Sequence, residues 1–535
     1  MEEKIIIIGA GAAGLSAALE LARNGVKSVL VSDMPSERTQ STMAEGGMNA
    51  AAGVKDDSPE LHAQETLRAG RFIADPKAVL ELAQGAPGII EWLFNSGMSF
   101  SLNADGRPDV RAFGGQSKKR TFFAASNTGK QLMYTLIDQT RRYECEGLIE
   151  RMVGWQFMRI IKDGESVCGC VLVHPYTHEQ VVLSGKVIIA SGGLNGMFGN
   201  ATGSVGNTGA VSASLYADGV AFANCEFVQY HPTTSKLHGK NMLITEAVRG
   251  EGGRLFVNKD GKPYYFMEDK YPERGNLMPR DVIAREEWAL EQQGYSIYLD
   301  MSHLDKQLSQ TKLHGVIDDC RKFLSIDPTV EPIPVTPGVH YFMGGIRVTR
   351  QHRTSLRGLY AAGECACQYH GANRLGGNSL LGAIYGGKVA ARSAMADDAV
   401  AVKALEYHED SDNVKAAEGS YMDGIVKLRG IMRSGMGIVR DEESLKSAIA
   451  QIDELSDSVK GTYDPSANVC ENHSLKNFCL LGKAMLMSAQ ARKESRGAHT
   501  RGDYPGEQEE YQKQSTARLI GDKIEIAFES AGERE

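Results

Sequence analysis

At roughly 150 residues per domain, a chain of 535 residues is long enough for about three domains. Its 42% hydrophobic and 24% charged residues are ordinary for a globular protein and exclude a disordered, collagenous or coiled-coil chain. With 59 basic against 67 acidic residues the net charge is −8, and there is no basic excess of the kind nucleic acid selects.

The 59 glycines set against 16 prolines predict many tight turns and close approaches of backbone to ligand. Nine cysteines lie scattered with no Cys-x-x-Cys among them, so neither a disulfide framework nor a ferredoxin-type cluster module is predicted, and no metal set is expected. No basic leader with a cleavage site opens the chain, and no run of about 20 apolar residues could span a bilayer. The expectation is a cytoplasmic chain with no transmembrane segment of its own.

Residues 4–8 are a short β-branched apolar run, the pattern of a strand buried on both faces. The run leads directly into Gly9-Ala10-Gly11-Ala12-Ala13-Gly14, then into a helix-forming stretch over 15–22 that Asn24-Gly25 should end. A second strand is predicted over 28–32. This is a βαβ unit with G-x-G-x-x-G at its first turn. The glycines permit the tight turn and close helix–strand packing, and the helix N-terminus offers free N–H groups to a pyrophosphate. A dinucleotide is therefore expected at Gly9, Ala10, Gly11, Ala13 and Gly14. The second strand ends in Ser32-Asp33, so the usual acidic ribose contact is displaced by one place or absent.

A second glycine-rich element follows over 41–53, with Thr42, Ala44, Gly46 and Gly47. A flavin has a use for it, because a large planar ring must lie against backbone free of side chains. Further blocks read Arg111-Ala112-Phe113-Gly114-Gly115, Glu226-Phe227-Val228-Gln229-Tyr230-His231-Pro232-Thr233, and Thr245-Glu246-Ala247-Val248-Arg249-Gly250-Glu251-Gly252-Gly253. Then come Met278-Pro279-Arg280-Asp281, His340-Tyr341-Phe342-Met343-Gly344-Gly345, Ala362-Gly363-Glu364-Cys365 and His370-Gly371-Ala372-Asn373-Arg374-Leu375-Gly376-Gly377-Asn378-Ser379-Leu380. Near the C-terminus Leu445, Ile449, Ile452 and Leu455 recur at helical spacing behind the acidic turn Asp441-Glu442-Glu443, and a second helix is predicted over 475–494. The last thirty residues are charged and carry no pattern.

These ordered blocks resemble the flavoprotein subunit of fumarate reductase and succinate dehydrogenase, a family related to L-aspartate oxidase, to about residue 505. The resemblance implies an α/β fold: a Rossmann-like FAD-binding domain (1–227 and 343–398), an inserted α+β capping domain (228–342), a C-terminal helical domain (399–505) and a tail (506–535). It implies FAD held by the residues above together with Ser32, Gly192, Glu364, Ser379 and Leu380. The helix opening at Ser379 would aim its positive end at the flavin ring. A small dicarboxylate would lie among His231, Thr245, His340 and Arg374, the arginine offering a planar fork to one carboxylate. By the same resemblance Arg280 is the proton donor and Glu246 and Arg249 relay protons to it. Arginine is a poor acid, but a strongly basic developing carbanion can draw a proton from it if a carboxylate restores it quickly.

The resemblance also sets the alternatives. Aspartate oxidases carry a carboxylate just before the paired glycines, where this chain has Phe113; a phenyl ring cannot pair the substrate ammonium, which ranks that activity second. Reduction of another unsaturated carboxylic acid, and a purely electron-carrying role, stay open. Gln40 stands where membrane-bound members attach FAD through a histidine, so a non-covalent flavin is expected, which in this family favours fumarate reduction. Ala210 stands where the family commonly has an Asp that touches the cofactor. An iron–sulfur subunit is the implied partner, and through it a membrane anchor complex could hold the chain peripherally on the inner face of the membrane.

Overall fold

The structure is a computed structural model describing residues 4–53, 55–204, 206–398 and 415–532. The predicted opening βαβ unit is present: strand Ile5–Ile8, helix Ala12–Arg23 and strand Ser28–Ser32. Its strands are buried throughout, as continuous β-branched runs require. Gly25, just past the helix, takes φ +71°, the left-handed turn that glycine adopts without strain. These strands lie inside a five-stranded parallel sheet in the order Leu359–Ala361, Val187–Ile189, Ile5–Ile8, Ser28–Ser32, Ile149–Val153. The edge strand comes from more than 160 residues beyond its neighbour in sequence, so one sheet joins distant parts of the chain. The helix Asn378–Ala396 packs against the first helix and completes the layer.

A six-stranded antiparallel sheet forms the opposite wall, ordered Lys240–Leu243, Val228–Leu237, Ile333–Phe342, Ile297–Asp300, Arg254–Lys259, Lys262–Tyr264. Its own apolar cluster, with Leu255, Ile283, Leu299 and Ile333, is separate from those flanking the parallel sheet. The helix Arg280–Glu291 lies on this sheet against the strand Val228–Leu237.

Three helices, Ser420–Gly435, Glu442–Val459 and Val469–Ala491, pack together through Leu428, Met432, Leu445, Ile452, Leu455 and Phe478. The second starts where its acidic turn predicts, with Asp441 as the N-cap. The third starts six residues earlier than the predicted 475. Asn468 and Glu471 cap each other's backbone N–H groups in a reciprocal pair, which fixes the start at Val469.

The charged C-terminal stretch folds. Gln514–Ile520 and Lys523–Glu529 form a hairpin that extends a sheet with Phe222–Ala223, Gly345–Arg347 and Ala366–Cys367. Ser515 donates to Glu226 at 2.6 Å, and Glu226 pairs with the buried Arg492, also at 2.6 Å. The expected boundary at 399 lies outside the described residues. Among the described residues no helix is long and apolar enough to cross a membrane.

Candidate active site

One cavity of about 660 Å³ runs from the glycine turn of the parallel sheet to the face of the antiparallel sheet. At the first end, Gly9 has φ +112°, and a Cβ there would lie 2.2 Å from the Ala190 carbonyl oxygen. At Gly14 a Cβ would lie 1.8 Å from the Gly9 carbonyl. Gly14 is therefore what lets the helix sit on the strand, and it does not line the cavity, whereas Gly9, Ala10, Gly11 and Ala13 do. Ser32 and Asp33 line it too; burial raises the Asp33 carboxyl above its ordinary range, against the pull of backbone N–H groups.

The second glycine segment lies beside this turn. The Ala12 N–H donates to Ser41 Oγ at 3.1 Å. Gly47, at φ +143°, has no room for a side chain against the Phe122 carbonyl, 2.4 Å from where a Cβ would be. Arg111 pins the segment by donating to the carbonyls of Glu45 at 2.8 Å and Gly46 at 3.1 Å. Ala44, Gly46 and Gly47 line the cavity, but Thr42 does not: its hydroxyl donates to the Ser36 carbonyl at 3.4 Å. Gln40 lines it and accepts a hydrogen bond from the Ser204 N–H.

Gly192, Glu364, Ser379 and Leu380 complete this half. Gly377, at φ +86°, precedes the helix Asn378–Ala396, and no side chain caps it. The first-turn N–H groups of Ser379 and Leu380 are therefore placed to receive an anionic group, with the positive end of the helix behind them. Burial pushes the Glu364 carboxyl up to about 7, against a hydrogen bond from the Phe342 N–H at 3.2 Å and the charge of Arg374. A phosphate-bearing dinucleotide with a planar ring fits this lining: glycine faces, unpaired helix N–H groups and a long channel.

The second half gathers all four expected substrate ligands and the expected proton donor: His231, Thr245, His340, Arg374 and Arg280 line the same cavity. The His231 and His340 rings lie 5.0 Å apart. Burial, then the charge of Arg280, pushes both imidazoles well below their ordinary pKa, helped at His231 by Arg249 and at His340 by Arg374, so both are neutral. Thr233 N–H donates to His231 Nδ1 at 3.2 Å, leaving Nε2 to face a ligand, and His340 Nδ1 is held by Thr202 Oγ1 at 2.7 Å.

Arg374 lies over the Tyr341 ring, 4.1 Å from its centre, and its Nε has no hydrogen-bond partner among the described residues. Burial, then the neighbouring Arg280, pulls its pKa down to about 9. That is the mark of a buried cation short of an anion. Arg280 donates through Nε and Nη2 to Glu246 Oε2, at 2.8 and 2.6 Å, and through Nη1 to Gln229 Oε1 at 3.1 Å. Burial alone would raise Glu246, but Arg280 and Arg249 outweigh it and hold the carboxyl at about 2. Arg249 stands behind the cavity wall, its Nη2 3.8 Å from Glu246 Oε1.

Three contributors escape a reading of the sequence. Gln229 joins Arg280 to Arg374, Thr202 orients His340, and Tyr341 carries Arg374. Gln229 and Tyr341 do lie inside the motif blocks, but only tertiary packing reveals their roles. Phe113 packs where a Cβ on Gly46 would touch its ring at 3.2 Å, beside the bond from Gly114 N–H to Glu246 at 2.9 Å.

Comparison with known proteins gives a consistent picture. Residues 4–380 match the FAD binding domain family, and residues 426–531 match the family described as fumarate reductase flavoprotein C-term. The succinate dehydrogenase flavoprotein subunit of Bacillus subtilis is 37% identical, over 94% of this chain and 92% of its own length. A CoM/CoB fumarate reductase chain of Methanothermobacter marburgensis is 34% identical over 98% of both sequences. A chain of E. coli quinol fumarate reductase superimposes with a TM-score of 0.89 at 29% identity, covering 99% of this chain and 97% of that one.

Proposed function

The chain belongs to the family of FAD-binding flavoprotein subunits of succinate dehydrogenase and fumarate reductase, and on that premise we propose that it interconverts fumarate and succinate in the cavity described above. It is an FAD-dependent oxidoreductase. The observation that carries the substrate reading is the pair of guanidinium groups, Arg280 and Arg374, facing two neutral histidines in a cavity shared with the glycine turn.

A small dianion answers the charge of that arrangement. Arg374 takes one carboxylate through Nε and its remaining N–H groups, while His231, His340 and Thr245 take the other oxygens. Bound FAD supplies the hydride that one alkene carbon receives. Arg280 stands to protonate the neighbouring carbon: it lines the cavity, and only three of its five N–H groups are engaged. Glu246, a carboxylate held at two points by Arg280, takes a proton from Arg249 behind it and passes it to Arg280. His231, Thr245, Arg280 and Arg374 are buried, and the lower dielectric there strengthens each of these contacts.

Gln40 supports a non-covalent flavin, because a carboxamide already engaged by Ser204 N–H offers no nucleophile for a bond to the ring. Acid precipitation that leaves yellow colour on the protein would overturn this. The relatives are named as subunits, which supports a partner iron–sulfur subunit bringing the electrons. A membrane anchor complex would then hold the assembly at the inner face of the membrane. Co-purification of such a subunit with the chain from its own cells tests this.

The deciding experiment is anaerobic: the FAD-loaded chain is reduced with dithionite, and fumarate is added. Rapid recovery of the oxidised flavin spectrum is expected. No response to fumarate, with bleaching of the oxidised protein by L-aspartate, would move the assignment to aspartate oxidation.

A further inference from the structure

The helix Arg280–Glu291 carries three ionisable side chains on one face. At 3.6 residues per turn, positions 280, 287 and 291 fall within about 40° of one another. Arg280 is at the cavity end and Glu291 at the other, half-buried and accepting from Thr336 Oγ1 at 2.6 Å. Between them Glu287 is fully enclosed, with 0% exposure, and neither carboxyl oxygen has a hydrogen-bond partner among the described residues.

A carboxyl group buried this way is costly, and an apolar side chain would fill the space better. The charges acting on it come from two elements: Arg249, on the short helix Ala247–Gly250, and Glu291, one turn along its own helix. Arg249 in turn feels Glu287, and its Nε and Nη2 are likewise without a hydrogen-bond partner among the described residues. An enclosed carboxyl without a partner and a guanidinium held only through Nη1, by the Asn276 carbonyl at 2.8 Å, thus sit next to the Glu246–Arg280 pair. Burial, opposed by Arg249, holds the Glu287 carboxyl well above its ordinary range. With no donor aimed at either oxygen, the enclosed carboxyl favours its protonated form.

We infer that Glu287 is a positioning residue for proton delivery: it holds the proton that reloads Arg249, and through Glu246 reloads Arg280, after each turnover. The inference rests on the fumarate–succinate reading for its reaction. In each reduction Arg280 gives one proton to the alkene carbon, the Glu246 carboxylate accepts a proton from Arg249 and passes it to Arg280, and Glu287 replaces that of Arg249. Glu287 is then a carboxylate until solvent restores its proton by way of Glu291. One proton enters for each one consumed, and no electron passes along this route. Arg249 and Glu287 lie near enough that each acts on the other's charge.

The test uses the FAD-loaded full chain, reduced with dithionite and reoxidised with fumarate in rapid mixing from mildly acid to alkaline pH. Glu287→Gln is expected to keep its melting temperature and fumarate affinity. It should lower the reoxidation rate roughly 100-fold at alkaline pH and less at acid pH, the low end of what a lost proton-transfer group costs. Glu287→Asp should recover part of the rate, and Glu287→Met, which fills the space without a proton, should match Glu287→Gln. Wild-type rates and pH profile in either the Gln or the Met variant would overturn the proposal.

Infrared difference spectroscopy gives a reading independent of turnover. A protonated-carboxyl band in the wild type that disappears in Glu287→Gln supports the assignment, and no such band overturns it. A wild type that fumarate cannot reoxidise would instead remove the substrate reading, with the band still deciding whether Glu287 holds a proton.

Discussion

Arg280 and Arg374 donate to the same acceptor, the side-chain oxygen of Gln229, at 3.1 and 3.0 Å. The orientation of that carboxamide is fixed from its other end, where Nε2 donates to Asn373 Oδ1 at 2.9 Å and to the Arg374 carbonyl at 3.0 Å. Two buried cations this close repel each other. Such an arrangement serves a ligand that brings two negative charges, and the neutral amide between them sets the spacing at which it is received.

Gln229→Leu should therefore raise KM for fumarate and lower kcat/KM by about 10- to 150-fold, the worth of one charge-assisted hydrogen bond at about 1.5–3 kcal/mol. Flavin content should stay unchanged. Steady-state kinetics with a chemical reductant checks this, and an unaltered KM would deny the bridging role.

Arg280→Lys keeps the charge but loses the planar fork that holds Glu246 at two points. The reoxidation rate is expected to fall by about 10²- to 10⁴-fold, with KM changing far less. Rapid-mixing measurements on reduced enzyme separate the two, and a wild-type rate in the variant would remove Arg280 from proton delivery.

Gly14→Val puts a branched side chain where even a Cβ lies 1.8 Å from the Gly9 carbonyl. The first helix must then lift off its strand, and the variant should lose most of its bound flavin or fail to fold. The ratio of flavin to protein after gel filtration reports this directly, and a full flavin complement would contradict the packing argument.

Glu45 gives a pH dependence. Burial, then the nearby Asp319, raises its carboxyl from 4.5 to about 8, against the pull of Arg111. Between those values the unfolded chain releases a proton that the folded chain keeps. The contribution to stability is thus complete below about pH 4.5 and is lost as pH rises toward 8. Glu45→Gln should melt at a higher temperature than wild type at pH 8 and close to it at pH 5. Melting curves at both values check the sign.

The glycine turn is legible in the sequence because its chemistry is local: Gly9 and Gly14 are demanded by atoms a few residues away or by the adjacent strand. The same holds for the helix after Asp441, whose cap and acidic turn lie within four residues. Gln229 is different. Its partners, Arg280, Asn373 and Arg374, come from segments 51 to 145 residues away, and no spacing rule reaches that far. Glu287 looks like one more charge in a surface helix until the antiparallel sheet is seen to cover it. The terminal hairpin is hidden for another reason. Its inner strand buries Gln514, Ser515 and Thr516, polar residues that give no apolar alternation to read.

The parallel sheet takes its edge strand from Leu359–Ala361, and the cavity takes part of its wall from the helix that opens at Asn378. A ribosome making this chain in order must therefore release more than two thirds of it before the first glycine turn acquires the neighbours that complete the flavin pocket. Cofactor loading is a late event in biosynthesis. Until then Val187–Ile189 has an unpaired edge and the first helix lacks the Asn378–Ala396 helix that packs on it, apolar surface that a chaperone would have to shelter.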